Sequence, residues 1–204
     1  MRRLGVVSED AMVLEFLASE IDSPRFADVV LAALAECGAD ETVIRDRSYD
    51  GAATAARAAV LGSYRGWKTG RALFRGFPSV SWFRVAATAA DVRAVQLGAH
   101  PAWLNLPFQP RTVGDVALGL RTGVIEPKSH VAAVRQRYGD GDSLPLPIVV
   151  GGRDTKATTV LEGHTRLVAW LLAAPGRDGD ARGTDEIELI LGVADSLAGW
   201  CFLA

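Results

Sequence analysis

The 204-residue chain is predicted to be an α+β protein: a helical N-terminal region leading into a small mixed sheet with packed helices. Two observations carry that expectation. Apolar residues recur at helical spacing, with start and stop signals, through most of the first half. The last third instead alternates short β-branched runs with a helical pattern, the signature of a hairpin followed by a helix and a further strand. Nearly half of the residues are hydrophobic and 23% are charged, a globular composition, and the length allows a substantial core.

In chain order, Ser8 caps a helix that carries Met12, Phe16 and Leu17 on one face. A second helix is expected in DSPRFADVVLAALAECG, with Ser23 as N-cap and Pro24 at the first helical position. Its apolar stripe is Phe26, Val29, Val30, Ala33, Leu34 and Cys37, and Gly38 is the stop. A third runs from near Asp50 to near Gly62. GSYRGWKTGRALFRGFP, with four glycines and Pro78, reads as a shaped loop rather than a regular element. VSWFRVA is a strand, and Thr88, Thr112 and Ser129 each cap a short helix. His100 and Trp103 fall in a Pro-broken aromatic loop, where they either line a pocket or serve the fold. LPIVV and ATTVLE form a hairpin around GGRDTK, a helix covers about Thr165 to Ala173, and EIELILGVA is the last strand. The terminal SLAGWCFLA is apolar enough to pack. A boundary near residue 80 would divide a helical region, 1–79, from a domain of 80–204, or the two form one compact unit.

The net charge of −2 gives no general attraction to nucleic acid or anionic membrane. Its distribution is uneven. No Asp or Glu occurs from Gly51 to Ala90, where Arg57, Arg65, Lys68, Arg71, Arg75 and Arg84 leave the rest of the chain at −8. Tyr64, Trp67, Phe74, Phe77, Trp82 and Phe83 are interleaved with these cations. Either the aromatics anchor an Arg-rich surface to the core, or Arg65, Lys68, Arg71, Arg75 and Trp82 form an anion-facing wall for a phosphate or a base. Cys37 and Cys201 belong to no metal-binding cluster and read as buried, reduced thiols. The N-terminus acquires Glu9 and Asp10 before any long apolar segment, so no signal peptide is expected. No window approaches the ~18–20 apolar residues of a membrane span. A soluble, cytoplasmic protein without a membrane partner is the expectation, with its oligomeric state open.

The stretch VLEGHTRLVAW joins the expected hairpin to the expected helix. With the helix beginning after Gly163, its first backbone N–H groups have no intrahelical acceptor and sit at the positive end of the helix dipole. Gly163 admits close approach to the backbone, and Arg166 offers a planar fork suited to phosphate or carboxylate. Leu167, Trp170, Leu171 and Ala174 bury the helix and leave His164, Thr165 and Arg166 at its mouth. The pattern describes an anion site, or else a capped corner in which Arg166 only pairs with Glu162.

The segment PIVV…TVLEGHTRLVAW resembles the central signature of the ParB/sulfiredoxin-like superfamily. In its members a β-hairpin leads into a Gly-x-x-Arg turn and a helix, with variants such as Gly-Glu-Arg-Arg, Gly-Cys-His-Arg and Asp-Gly-His-His-Arg. The resemblance is close over Leu146 to Ala174 and looser back to Val80; residues 1–79 match no family pattern. It implies a small mixed sheet with packed helices, and Gly163, His164, Thr165 and Arg166 as nucleotide phosphate-binding positions. Sulfiredoxins carry Cys at the position of His164, so their redox chemistry is not expected here. Partitioning proteins continue into a helix-turn-helix domain, for which the 30 residues after Ala174 leave no room. The nearest variant is the Asp-Gly-His-His-Arg of small-molecule kinases, from which Thr165 departs by replacing the second histidine.

These readings together imply an ATP-dependent small-molecule phosphotransferase, with Glu162 or His164 as acid, base or metal ligand and with Mg²⁺ accompanying the nucleotide. No metal site built by the protein alone is expected. Two alternatives stand beside it: a ParB-like nucleic-acid-binding protein or nuclease, and a non-catalytic nucleotide-binding regulator.

Overall fold

The computed structural model describes residues 1–99, 106, 109–153, 157–173 and 186–203. Its centre is a mixed sheet of five strands: β1 (Arg2–Val6), β2 (Ser81–Thr88), β3 (Ile148–Gly152), β4 (Thr158–Glu162) and β5 (Glu186–Ala194), in the order β1-β2-β5-β3-β4. β2 runs antiparallel to β1 and β5, β3 and β4 form the antiparallel hairpin, and β3 lies parallel to β5. Eight α-helices accompany it among the described residues. They are α1 (Glu9–Ile21), α2 (Ala27–Glu36), α3 (Thr42–Arg45), α4 (Gly51–Arg65), α5 (Ala89–Ala94), α6 (Val113–Arg121), α7 (Ser129–Gly139) and α8 (His164–Ala173). None of them is long and apolar enough to cross a membrane. The expected α+β class is observed.

The period-two alternation of the strands divides the core into two layers. Trp82, Ile148, Val150, Leu161, Ile190 and Ala194 point to one face of the sheet, where they meet Met12, Phe16 and Leu17 of α1 and Val60 and Leu61 of α4. Val85, Ala87, Val149, Val160, Ile187 and Leu189 point to the other, against α5, α6 and α8. Residues 1–79 thus contribute an edge strand and a whole covering layer to the sheet that residues 80–204 build, and the two regions share one core. Leu197 and Trp200 of the C-terminal segment close the first layer.

Most element starts follow the local chemistry. Ser8 Oγ accepts the N–H of Ala11 and Asp50 that of Ala53, while Thr88 with Asp91 and Thr112 with Asp115 form complete capping boxes. Four expectations are corrected. α2 begins at Ala27 rather than Pro24, because Ser23 O accepts from both Phe26 and Ala27 and closes a tight turn first. Ser129 lies inside α7, whose N-cap is Lys128 with no side-chain cap bond. α4 continues through Gly62 to Arg65 and stops at Gly66, whose φ of +82° is left-handed; a Cβ there would lie 2.0 Å from Arg71 O. Cys37 and Cys201 are free, but neither is buried: Cys201 is partly exposed and Cys37 exposed, because Val30, Ala33 and Leu34 alone take the buried face of α2. Strand β1 had no signal, since every residue of it is exposed and the alternation that marks a half-buried strand is missing.

Candidate functional site

β4 ends at Glu162 and α8 begins at His164, so the whole reversal rests on Gly163. Its φ is +99°, and a Cβ would stand 3.0 Å from Arg166 Nη2 and 3.0 Å from both Cα and Cβ of Pro147. The glycine is therefore demanded by the chain's own packing, before any ligand is considered. Leu167 N–H donates to Gly163 O at 3.0 Å, which opens the helical ladder and leaves the preceding N–H groups at the amino end without intrahelical acceptors.

The side chains around this turn depart from the exposed mouth that helical spacing implied. His164 is 8% and Arg166 7% exposed, and Thr165 is half-buried. His164 Nε2 donates to Leu97 O at 2.6 Å. Arg166 Nη1 donates to Pro145 O at 2.6 Å, and Nη2 is ion-paired with Glu162 Oε2. Burial pushes the Arg166 guanidinium down to about 10, partly offset by the charges of Tyr138, Glu15 and Glu20. Two segments distant in sequence produce this enclosure. Gln96 hydrogen-bonds along β4 through Thr158 O and Val160 N, which brings Leu97 over the helix start; Pro145 and Pro147 lead into β3 beside it. The capped-corner reading thus describes how the Arg166 side chain is engaged.

In front of the turn opens a cleft of about 1220 Å³, between α1–α3 on one side and α7 on the other, with Glu162 to Arg166 in its lining. Its α1 wall contains two buried carboxylates. Glu15 is ion-paired with Arg47 and accepts the N–H of Leu146 at 2.8 Å. Glu20, 2% exposed, is ion-paired with Arg65 and accepts from the Tyr64 hydroxyl at 2.5 Å. Burial, reinforced by the Glu20 charge, raises the Tyr64 hydroxyl, so it stays a donor. Arg25, Arg45 and Arg47 face the cleft from the α1–α3 side, and His130 and Arg137 from α7. Arg45 is paired with Glu41 and Asp22, and Arg137 with Asp142. Among the described residues no three His, Cys, Asp or Glu side chains come together to hold a metal ion.

The acid-free stretch behaves differently in space from its sequence. Arg57 is fully buried and paired with Asp10, Arg65 with Glu20, Lys68 with Glu9 and Arg84 with Glu188. The acids of α1 therefore neutralise three of the six segregated cations, and Glu188 of β5 a fourth. Trp67, Phe74 and Trp82 are 6%, 2% and 4% exposed; Trp67, Phe74, Phe77 and Trp200 form an edge-to-face chain, and Trp82 stacks on Phe77. Arg71 and Arg75 are exposed. Of the expected anion-facing wall, neither Arg65, Lys68, Arg71, Arg75 nor Trp82 lines the cleft at the Gly163 turn. His100 and Trp103 lie outside the described residues.

Several cleft residues were missed in sequence: Glu15, Glu20, Arg25, Arg47, His130 and Arg137. For the two acids a signal existed. Both interrupt the apolar run of α1 beside Leu14, Phe16, Leu17 and Ile21, and a carboxylate buried there requires a cationic partner. For the others no local pattern distinguishes a cleft-facing arginine from a solvated one.

A scan against protein-family models and searches of curated proteins and of solved structures returned no match.

Proposed function

We propose that the cleft binds a nucleotide whose phosphates sit at the amino end of α8, and that the protein is a small-molecule enzyme of the ATP-dependent phosphotransferase type. One observation carries this reading: the start of α8 opens into a cleft of about 1220 Å³ that is also faced by arginines from other elements. Clefts of roughly 300–1,000 Å³ hold drug-sized ligands, so the space suits a nucleotide together with a second small molecule. The likeness of Glu162-Gly163-His164-Thr165-Arg166 to phosphate-binding turns of ParB/sulfiredoxin-like proteins supports it independently.

The roles follow from the geometry above. Backbone N–H groups of the first turn of α8 and the Thr165 hydroxyl hold the phosphates, assisted by the helix dipole. Arg166 and His164 are positioning residues, since their polar atoms hold Pro145, Glu162 and Leu97 and thereby keep the turn in shape. Glu162 spends Oε2 on Arg166 and has Oε1 to take the hydroxyl proton of an acceptor. ATP, when bound, supplies the phosphoryl group. Mg²⁺ accompanies it on its phosphates. A nucleic-acid reading loses its main support with Arg57, Arg65, Lys68 and Arg84 held in ion pairs.

The test is the melting temperature with ATP, ADP, CTP or GTP, with and without Mg²⁺. At a hundredfold excess over Kd a nucleotide stabilises by about 2.7 kcal/mol, which for this chain length is about 5–10 °C. Thr165→Glu places a carboxylate in the first turn, where it suits the helix dipole but repels phosphate. The variant should fold as the parent does and lose the shift. No shift with any nucleotide, or an undiminished shift in Thr165→Glu, overturns the reading.

A further inference from the structure

Two phenyl rings line the cleft among the described residues, those of Phe26 and Tyr49, and they are not equivalent. The guanidinium carbons of Arg65 and Arg25 stand 4.2 and 5.0 Å from the centre of the Phe26 ring, so cations of the protein itself already occupy it. Tyr49 is 59% exposed, and its ring meets a single cation, the fully buried Arg57, at 5.8 Å. With protein behind it on that side, the Tyr49 ring keeps an open face.

The segment that carries Tyr49, between α3 and α4, is fixed on both sides of it. Ser48 Oγ donates to Asp50 Oδ2 at 2.6 Å, a clasp that closes across Tyr49, and Asp50 Oδ1 caps α4 by accepting the N–H of Ala53 at 2.8 Å. Arg47 takes a left-handed φ of +52°, which a residue other than glycine adopts only where its surroundings enforce it. Its side chain is ion-paired with the buried Glu15. An aromatic ring that would gain by burial is thus held at the cleft by a fastened segment, and a ring fixed in advance loses little freedom when a ligand stacks on it.

The same contacts tie Tyr49 to the Gly163 turn. Glu15 accepts from Arg47 with one oxygen and from the N–H of Leu146 with the other, at 2.8 Å. Across the same peptide bond, the carbonyl of Pro145 accepts from Arg166 Nη1 at 2.6 Å. In series these contacts run on the order of 10 Å from one guanidinium to the other. The ring and the amino end of α8 therefore flank one cavity, linked through Arg47, Glu15 and the Pro145–Leu146 peptide.

We propose that Tyr49 is the platform on which the base of the nucleotide stacks while its phosphates sit at the amino end of α8. The proposal rests on the nucleotide reading for the identity of the ligand; the affinity of the platform for a flat heterocycle does not. Stacking on an aromatic face accepts any base, so Tyr49 contributes affinity rather than a choice among bases.

Calorimetry with Mg-ATP and with inorganic tripolyphosphate, together with saturation-transfer NMR on the ring protons of adenosine, tests it. Tyr49→Ala should weaken ATP about tenfold and remove the adenosine signal while leaving tripolyphosphate unchanged. Tyr49→Phe keeps the ring and should match the parent. Thr165→Glu should lose tripolyphosphate and keep adenosine. Because Tyr49 is mostly exposed, both of its variants should melt as the parent does. Unchanged ATP affinity in Tyr49→Ala, an equal loss of ATP and tripolyphosphate there, or the same loss in Tyr49→Phe overturns the platform. Adenosine held through Tyr49 with no tripolyphosphate binding in the parent leaves the platform standing and removes the phosphate site at α8. Tripolyphosphate binding with no effect of Tyr49→Ala on ATP does the reverse, and binding of neither probe overturns both.

Discussion

Arg166 shows why a residue type alone does not define its task. Its guanidinium has the geometry for phosphate, yet both terminal nitrogens are already engaged, one with the Pro145 carbonyl and one with Glu162. Removing it leaves a carboxylate and a carbonyl without their donor in a largely buried corner. Arg166→Ala should cost about 3–5 kcal/mol in urea unfolding. Arg166→Lys should recover only part of that, since an ammonium cannot span both acceptors as a planar fork does. Equal stability of Arg166→Lys and the parent would show that the fork geometry is not what matters. The same corner was legible in the sequence as Glu, Gly, His, Thr and Arg between a strand and a helix. What was not legible is the inward turn of His164 and Arg166, because the acceptors that draw them in, Leu97 and Pro145, lie 67 and 21 residues away.

At the scale of elements, sequence reasoning succeeded where the deciding interaction is local. Thr112 is a clear instance: its hydroxyl accepts from Asp115 N–H while the Asp115 carboxylate accepts from Thr112 N–H. Thr112→Ala should therefore destabilise by about 1 kcal/mol. Ser129, which the sequence offered as an equivalent cap, falls at the first helical position of α7 with no cap bond from its side chain. Ser129→Ala should change stability by less than about 0.5 kcal/mol. Chemical denaturation of the two variants side by side checks the contrast, and equal losses would contradict it. Strand β1 is the converse case. Its sequence, Arg2-Arg3-Leu4-Gly5-Val6, has no alternation, and only the row of open hydrogen-bonding groups on β2 makes it a strand.

At the scale of the molecule, the charge pattern is the chief lesson. A run of six cations without an acid left open an Arg-rich surface or a wall for anions, and folding brings Glu9, Asp10 and Glu20 of α1 against three of them. These pairs differ in weight. Arg57 is fully buried, and Asp10 holds it through both carboxylate oxygens at 3.0 and 2.7 Å. Asp10→Ala should cost about 3–5 kcal/mol, because it strands a buried guanidinium. Lys68 and Glu9 are mostly exposed, so Lys68→Ala should cost less than about 1 kcal/mol. Urea midpoints of the two variants check this, and comparable losses would mean that burial does not set the value of these pairs. The sequence by itself determined the class of fold, the positions of most helices and strands, and the turn at Gly163, since periodicity, caps and glycines act over a few residues. Only the tertiary structure decided which carboxylate neutralises which arginine, which site residues turn inward, and where a cleft opens in front of α8. Those outcomes depend on segments tens of residues apart meeting across a shared core, and no local pattern encodes that meeting.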